Sequence, residues 1–80
     1  MKIYDYNGRK NICGDRLREA RVVHRLRQED LAARIQTMGV NMERDSISRI
    51  EIGTRFVSDF ELKVFAKALG VSVDWLLENE

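Results

Sequence analysis

Arg44, Asp45, Ser48 and Arg49 are spaced i, i+1, i+4 and i+5. A helix of 3.6 residues per turn gathers such positions on one stripe, opposite Ile47 and Ile50. Each side chain on that stripe can bond a base edge. Arginine pairs bidentately with the O6 and N7 of guanine, aspartate accepts from cytosine N4, and serine can donate or accept. A solvated helix face has the same composition, so the meaning of the stripe depends on the elements around it.

Other chemistries find little material. Cys13 is the only cysteine, so no intramolecular disulfide is available, and neither Cys nor His recurs at metal-ligand spacing. A small apolar role suits Cys13 better than a reactive thiol. His24 is the only histidine, near the end of the first helix. A site built on these two would have no second base and no group to orient the imidazole, as nucleophilic catalysis needs. No enzymatic activity, metal or cofactor is expected.

At 80 residues the chain has room for one domain near the lower size limit of a self-sufficient core. A hydrophobic fraction of 44% with 34% charged residues suits a globular fold, and no proline or Gly/Ser tract marks a linker. There is neither a membrane-length apolar run nor an apolar stretch readable as a secretory signal, so no membrane partner and a cytoplasmic location are expected. The net charge of +1 hides an asymmetry. Residues 1–55 carry twelve Lys/Arg against eight Asp/Glu, and residues 56–80 carry two against five. Charges are screened over ~8–10 Å, so a polyanion would feel the local basic surface.

Apolar periodicity places five helices. The first runs from Asp15, with Leu17, Ala20 and His24 on one face. The second spans Gln28 to about Met38, with Leu31, Ala32, Ile35 and Met38 inward and Gly39 as its left-handed stop. The third covers about Arg44–Ile52 and stops at Gly53. Ser58 and Glu61 form the S-x-x-E of a capping box, opening a fourth helix through Phe60, Val64, Phe65 and Ala68 to Gly70. Ser72 caps a last short helix with Val73, Trp75, Leu76 and Leu77, and no internal repeat is visible. The expected fold is an all-α, compact five-helix bundle over residues 12–80, with an N-terminal arm at 1–11. Within the arm, Ile3, Tyr4 and Tyr6 precede an Asn7-Gly8 turn that suits a short hairpin, and Lys2, Arg9 and Lys10 could touch a DNA backbone.

The segments RQEDLAARI and DSISRIEIG, followed by AKALGVSVDWLL, resemble the Cro/CI-type (XRE-like) helix-turn-helix family, notably the DNA-binding domains of lambdoid phage repressors. The resemblance covers about residues 12–78. It implies a sequence-specific transcriptional regulator, a repressor in type, that binds double-stranded DNA through the third helix. Base reading then falls on Arg44, Asp45 and Arg49, with Ser48 near the same surface. Gln28, at the start of helix 2, would bond a phosphate, and Thr54 and Arg55 would flank the backbone beyond helix 3. The resemblance also implies a structural salt bridge between Arg21 and Glu51, both close to the apolar seam.

One interval and two positions depart from the pattern. The interval Leu31–Ile47 exceeds the family's usual one by more than a helical turn, so either helix 2 runs on or the turn bulges. Arg27 and Glu43 replace capping Ser/Thr. Arg27 joins the phosphate contacts, and Asn41, counted with them, is the better cap if helix 3 starts early. A homodimer on a palindromic operator, with half-sites ~34 Å apart, follows from two-fold symmetry. Trp75 suits the core better than a dimer contact. The alternative is a protein-interaction module of the same fold, an antitoxin or anti-repressor that sequesters an unidentified protein partner.

Overall fold

The computed structural model describes residues 5–78, so Lys2, Ile3 and Tyr4 of the arm lie outside the described residues. Among these, five helices follow one another: α1 (Gly14–Val23), α2 (Gln28–Thr37), α3 (Arg44–Ile52), α4 (Asp59–Leu69) and α5 (Val73–Leu77). The all-α architecture matches the periodicity. α3 packs across both α1 and α2, α4 covers α2 and α1, and α5 closes against α1 and α4. Leu17, Leu31, Ile35, Ile47, Ile50, Phe65, Leu69 and Leu76 meet in a core without solvent access.

Local chemistry sets most helix ends. Gly39 (φ +89°) follows the end of α2, and Gly53 (φ +100°) terminates α3. Ser58 Oγ accepts from Glu61 N–H at 3.3 Å, while the Glu61 carboxylate accepts from Ser58 N–H at 3.0 Å. Ser72 Oγ likewise accepts from Trp75 N–H at 2.9 Å. α1 ends without glycine, on Arg25 at φ +58°. His24 is exposed rather than inward, its Nε2 lying 2.8 Å from the Leu69 carbonyl. Trp75 is half-buried under the Arg16 guanidinium, 4.6 Å from its ring centroid.

The long α2–α3 interval is a bulged turn. α2 stops at Thr37, and Val40–Glu43 crosses without regular secondary structure, with Met42 driven into the core at 2% exposure. Gln36 Nε2 donates to the Met42 carbonyl at 2.6 Å and pins that crossing. Because α3 starts at Arg44 with Glu43 as N-cap, Asn41 lies too early to cap it. Phe60, on α4, points outward at 60% exposure.

Gly14 lies where α1 crosses α3. A Cβ there would collide with the Ile50 backbone carbonyl, so only glycine permits this approach. In the arm, Asn7 (φ +51°) and Gly8 (φ +80°) make a tight turn that pairs Tyr6 with Arg9 as an isolated bridge.

Candidate nucleic-acid interface

α3 turns Ile47 and Ile50 into the core and leaves Arg44, Asp45 and Arg49 exposed, with Ser48 half-buried beside them. Arg49 and Asp45 form an i,i+4 ion pair at 3.4 Å. Both are well exposed, so the pair can open at little cost to stability. A polar hollow at the N-terminal half of α3 is bordered by Asn41, Glu43, Asp45, Ser46 and Arg49. Both charge signs therefore occur on this face.

Behind the stripe, a hydrogen-bonded chain ties the helices together. Arg21 Nε and Nη2 donate to the Glu51 carboxylate at 2.6 and 3.0 Å, and Arg21 Nη1 donates to the Leu26 carbonyl at 2.8 Å. Gln28 Nε2 donates to Glu51 Oε1 at 3.0 Å, and Gln28 Oε1 accepts from Arg44 Nη1 at 3.2 Å. A carboxylate only accepts, so Glu51 dictates which way the Gln28 amide faces. The oxygen of that amide is thereby turned toward the first residue of α3. Arg21 on α1, Gln28 on α2 and Glu51 on α3 converge only through the tertiary fold.

The remaining sequence-selected residues are spread around this centre. Arg27 precedes α2 and is engaged by Asp30 through two side-chain bonds of 3.1 Å each. An arginine side chain cannot accept, so only one direction of a capping box operates there: Asp30 Oδ2 takes the Arg27 backbone N–H at 2.9 Å. The guanidinium, and after it that backbone bond, hold the Asp30 carboxyl below its usual range. Thr54 is exposed, its hydroxyl 3.4 Å from the Arg49 carbonyl. Arg55 makes a bidentate pair with Glu61, 3.1 Å on each branch, and also donates to the Phe56 carbonyl at 2.9 Å. Burial favours the neutral form of Glu61, but the Arg55 and Ser58 hydrogen bonds outweigh it and lower its pKa.

Asn11 escaped the sequence reading, and Arg9, expected only as a DNA-backbone contact, turns its guanidinium to the Asn11 and Glu51 carbonyls at 3.1 and 3.4 Å. Asn11 Oδ1 accepts from Gly14 N–H at 2.8 Å, while its Nδ2 donates to the carbonyls of Ile50 and Arg55 at 3.0 and 2.8 Å. The spacing Asn11-x-x-Gly14 before an apolar periodic run was a signal for the first of these bonds. Nothing local signals the other two. No group of three His, Cys, Asp or Glu among the described residues could hold a metal ion.

A scaffold of short helices with α2 and α3 joined by a turn, and an exposed polar face on α3, defines a helix-turn-helix protein. A family model described as a helix-turn-helix domain matches residues 13–77, and the chain belongs to that family, of the XRE/Cro-CI type. This is a DNA-binding class. No curated protein and no solved structure matches the chain. No helix among the described residues is long and apolar enough to cross a membrane.

Proposed function

We propose that the chain is a sequence-specific transcriptional regulator of the repressor kind that lays α3 in the major groove of double-stranded DNA. The observation that carries this reading is the exposed row Arg44, Asp45 and Arg49, with Ser48 at its edge, on a helix whose opposite face is wholly buried. These side chains read bases. Gln28 and Thr54 position the backbone, with Asn41 beside the hollow at the start of α3. Arg27 and Arg55 add phosphate contacts through the N–H groups that Asp30 and Glu61 leave open. Arg21 and Glu51 hold the scaffold and do not read.

The chain acts as a homodimer on a palindromic operator. Apolar side chains left in solvent near the end of α3 favour this, since Ile52 is 64% and Phe60 60% exposed and Phe56 lines a hollow beside Phe60. Selection from a random duplex library tests the reading. An enriched inverted repeat is expected, and Arg44→Ala or Arg49→Ala then costs ~1–3 kcal/mol on the selected site while relaxing base preference. No enriched motif together with salt-independent binding would instead favour protein sequestration by an antitoxin or anti-repressor.

A further inference from the structure

Residues 9–11 precede the stretch matched by the family model, yet they close the far end of α3. A helix leaves its last four carbonyls without intrahelical donors. Here the Ile50 carbonyl takes the Asn11 side-chain N–H at 3.0 Å, and the Glu51 carbonyl takes Arg9 Nη2 at 3.4 Å. Just beyond, the Gly53 carbonyl takes the Lys10 backbone N–H at 2.7 Å. The Arg9 guanidinium lies flat against Gly53, where a Cβ would come within 2.7 Å of its Cζ. It thus places a cation at the negative end of the α3 dipole. The arm is docked in register with the turn that follows α3.

This docking leaves the Lys10 side chain in solvent. It borders the same hollow as Thr54, Arg55 and Phe56, and Thr54 and Arg55 are the residues to which the reading above gives the backbone contacts at this end of α3. Arg55, the cation native to that turn, is engaged by Glu61 and the Phe56 carbonyl. The Lys10 ammonium is paired across the Asn7-Gly8 turn with the Asp5 carboxylate, an exposed anion. A carboxylate oxygen on an ammonium occupies a place that a phosphate oxygen can take.

We propose that Lys10 contacts the phosphodiester backbone of duplex DNA at the C-terminal flank of α3, with Asp5 holding its ammonium until a phosphate replaces it. This rests on the major-groove reading above. The arm thereby extends the interface beyond the family unit.

The test is a salt titration of binding to the selected operator by fluorescence anisotropy, using the full chain. Lys10→Gln keeps the backbone N–H that anchors the arm, so its thermal midpoint stays at the wild-type value. Its slope of log K against log salt should be shallower by about 0.9, the share of one phosphate. The affinity deficit then shrinks about eightfold for each tenfold rise in salt, with base preference unchanged. Asp5→Asn frees the ammonium and removes a negative charge, so it should bind more tightly than wild type at low salt. A wild-type slope in Lys10→Gln, or an Asp5→Asn variant no tighter than wild type, overturns the proposal. Arg49→Ala separates the two readings. If it binds every sequence as wild type does, the major-groove assignment fails and takes Lys10 with it; if it relaxes base preference while Lys10→Gln keeps the wild-type slope, Lys10 alone fails.

Discussion

Replacing Arg21 by methionine isolates the energetic role of the chain that links the three helices. The pair is largely dry, with the Arg21 side chain 12% and the Glu51 side chain 4% exposed. The substitution removes both short bonds to Glu51 and the donor on the Leu26 carbonyl, leaving the Gln28 amide as the carboxylate's remaining side-chain partner. Removing one member of a buried pair costs ~3–5 kcal/mol, and the partial solvent contact of Arg21 places this case near the lower end. A domain of this length has roughly 4–12 kcal/mol in total, so a loss near 3 kcal/mol is a large share. At ~4–8 °C per kcal/mol for small domains, the thermal midpoint should fall by roughly 12–24 °C. Urea titrations followed by helical circular dichroism give the free energy, provided the slope with urea stays constant. The double variant Arg21→Met/Glu51→Leu should recover much of the loss, because no unpaired charge then remains buried. A cost under ~1 kcal/mol for Arg21→Met alone, the range of an exposed ion pair, would refute the view of Glu51 as a dry carboxylate held by Arg21.

Gly14→Ala should destabilise by ~1–3 kcal/mol, since its methyl meets the rigid Ile50 carbonyl and forces α1 away from α3; a neutral result in urea denaturation would show that the two helices can separate freely. Burial pushes the Cys13 thiol up to about 11, so a thiol-specific reagent at neutral pH should label the folded chain only as fast as it opens, and fast stoichiometric labelling would contradict the packing. The lowered pKa of Glu61 contributes stability that is fully present above the ordinary carboxylate range and is lost as pH falls through the depressed folded value. Arg55→Met should therefore be less stable than wild type at neutral pH, with the difference closing in acid; a pH-independent difference would assign the effect to lost packing.

Helix existence and most helix ends are legible because their causes are local. Gly39, Gly53 and Gly70 lie at positive φ, and Ser58 and Ser72 cap the helices that follow them. The inward and outward faces of α3 follow from a 3.6-residue period, which by itself sets out the row Arg44, Asp45, Arg49. Met42 could not be placed that way, because its burial depends on the path of a bulged turn and not on a helical repeat. Phe60 stands at a helical position whose side is decided by where α4 lands on α2. The arm is the clearest case. Lys10 and Arg9 were visible as basic residues, yet only the fold brings residues some forty positions apart together, so that Asn11, Arg9 and Lys10 take up the carbonyls of Ile50, Glu51 and Gly53. Periodicity and caps determined the helices and the polar face of α3, since both act within a few residues. Which arginines are engaged by carboxylates, which way the Gln28 amide points and where the arm docks were decided by tertiary packing, because each depends on partners that the chain brings together only once it is folded.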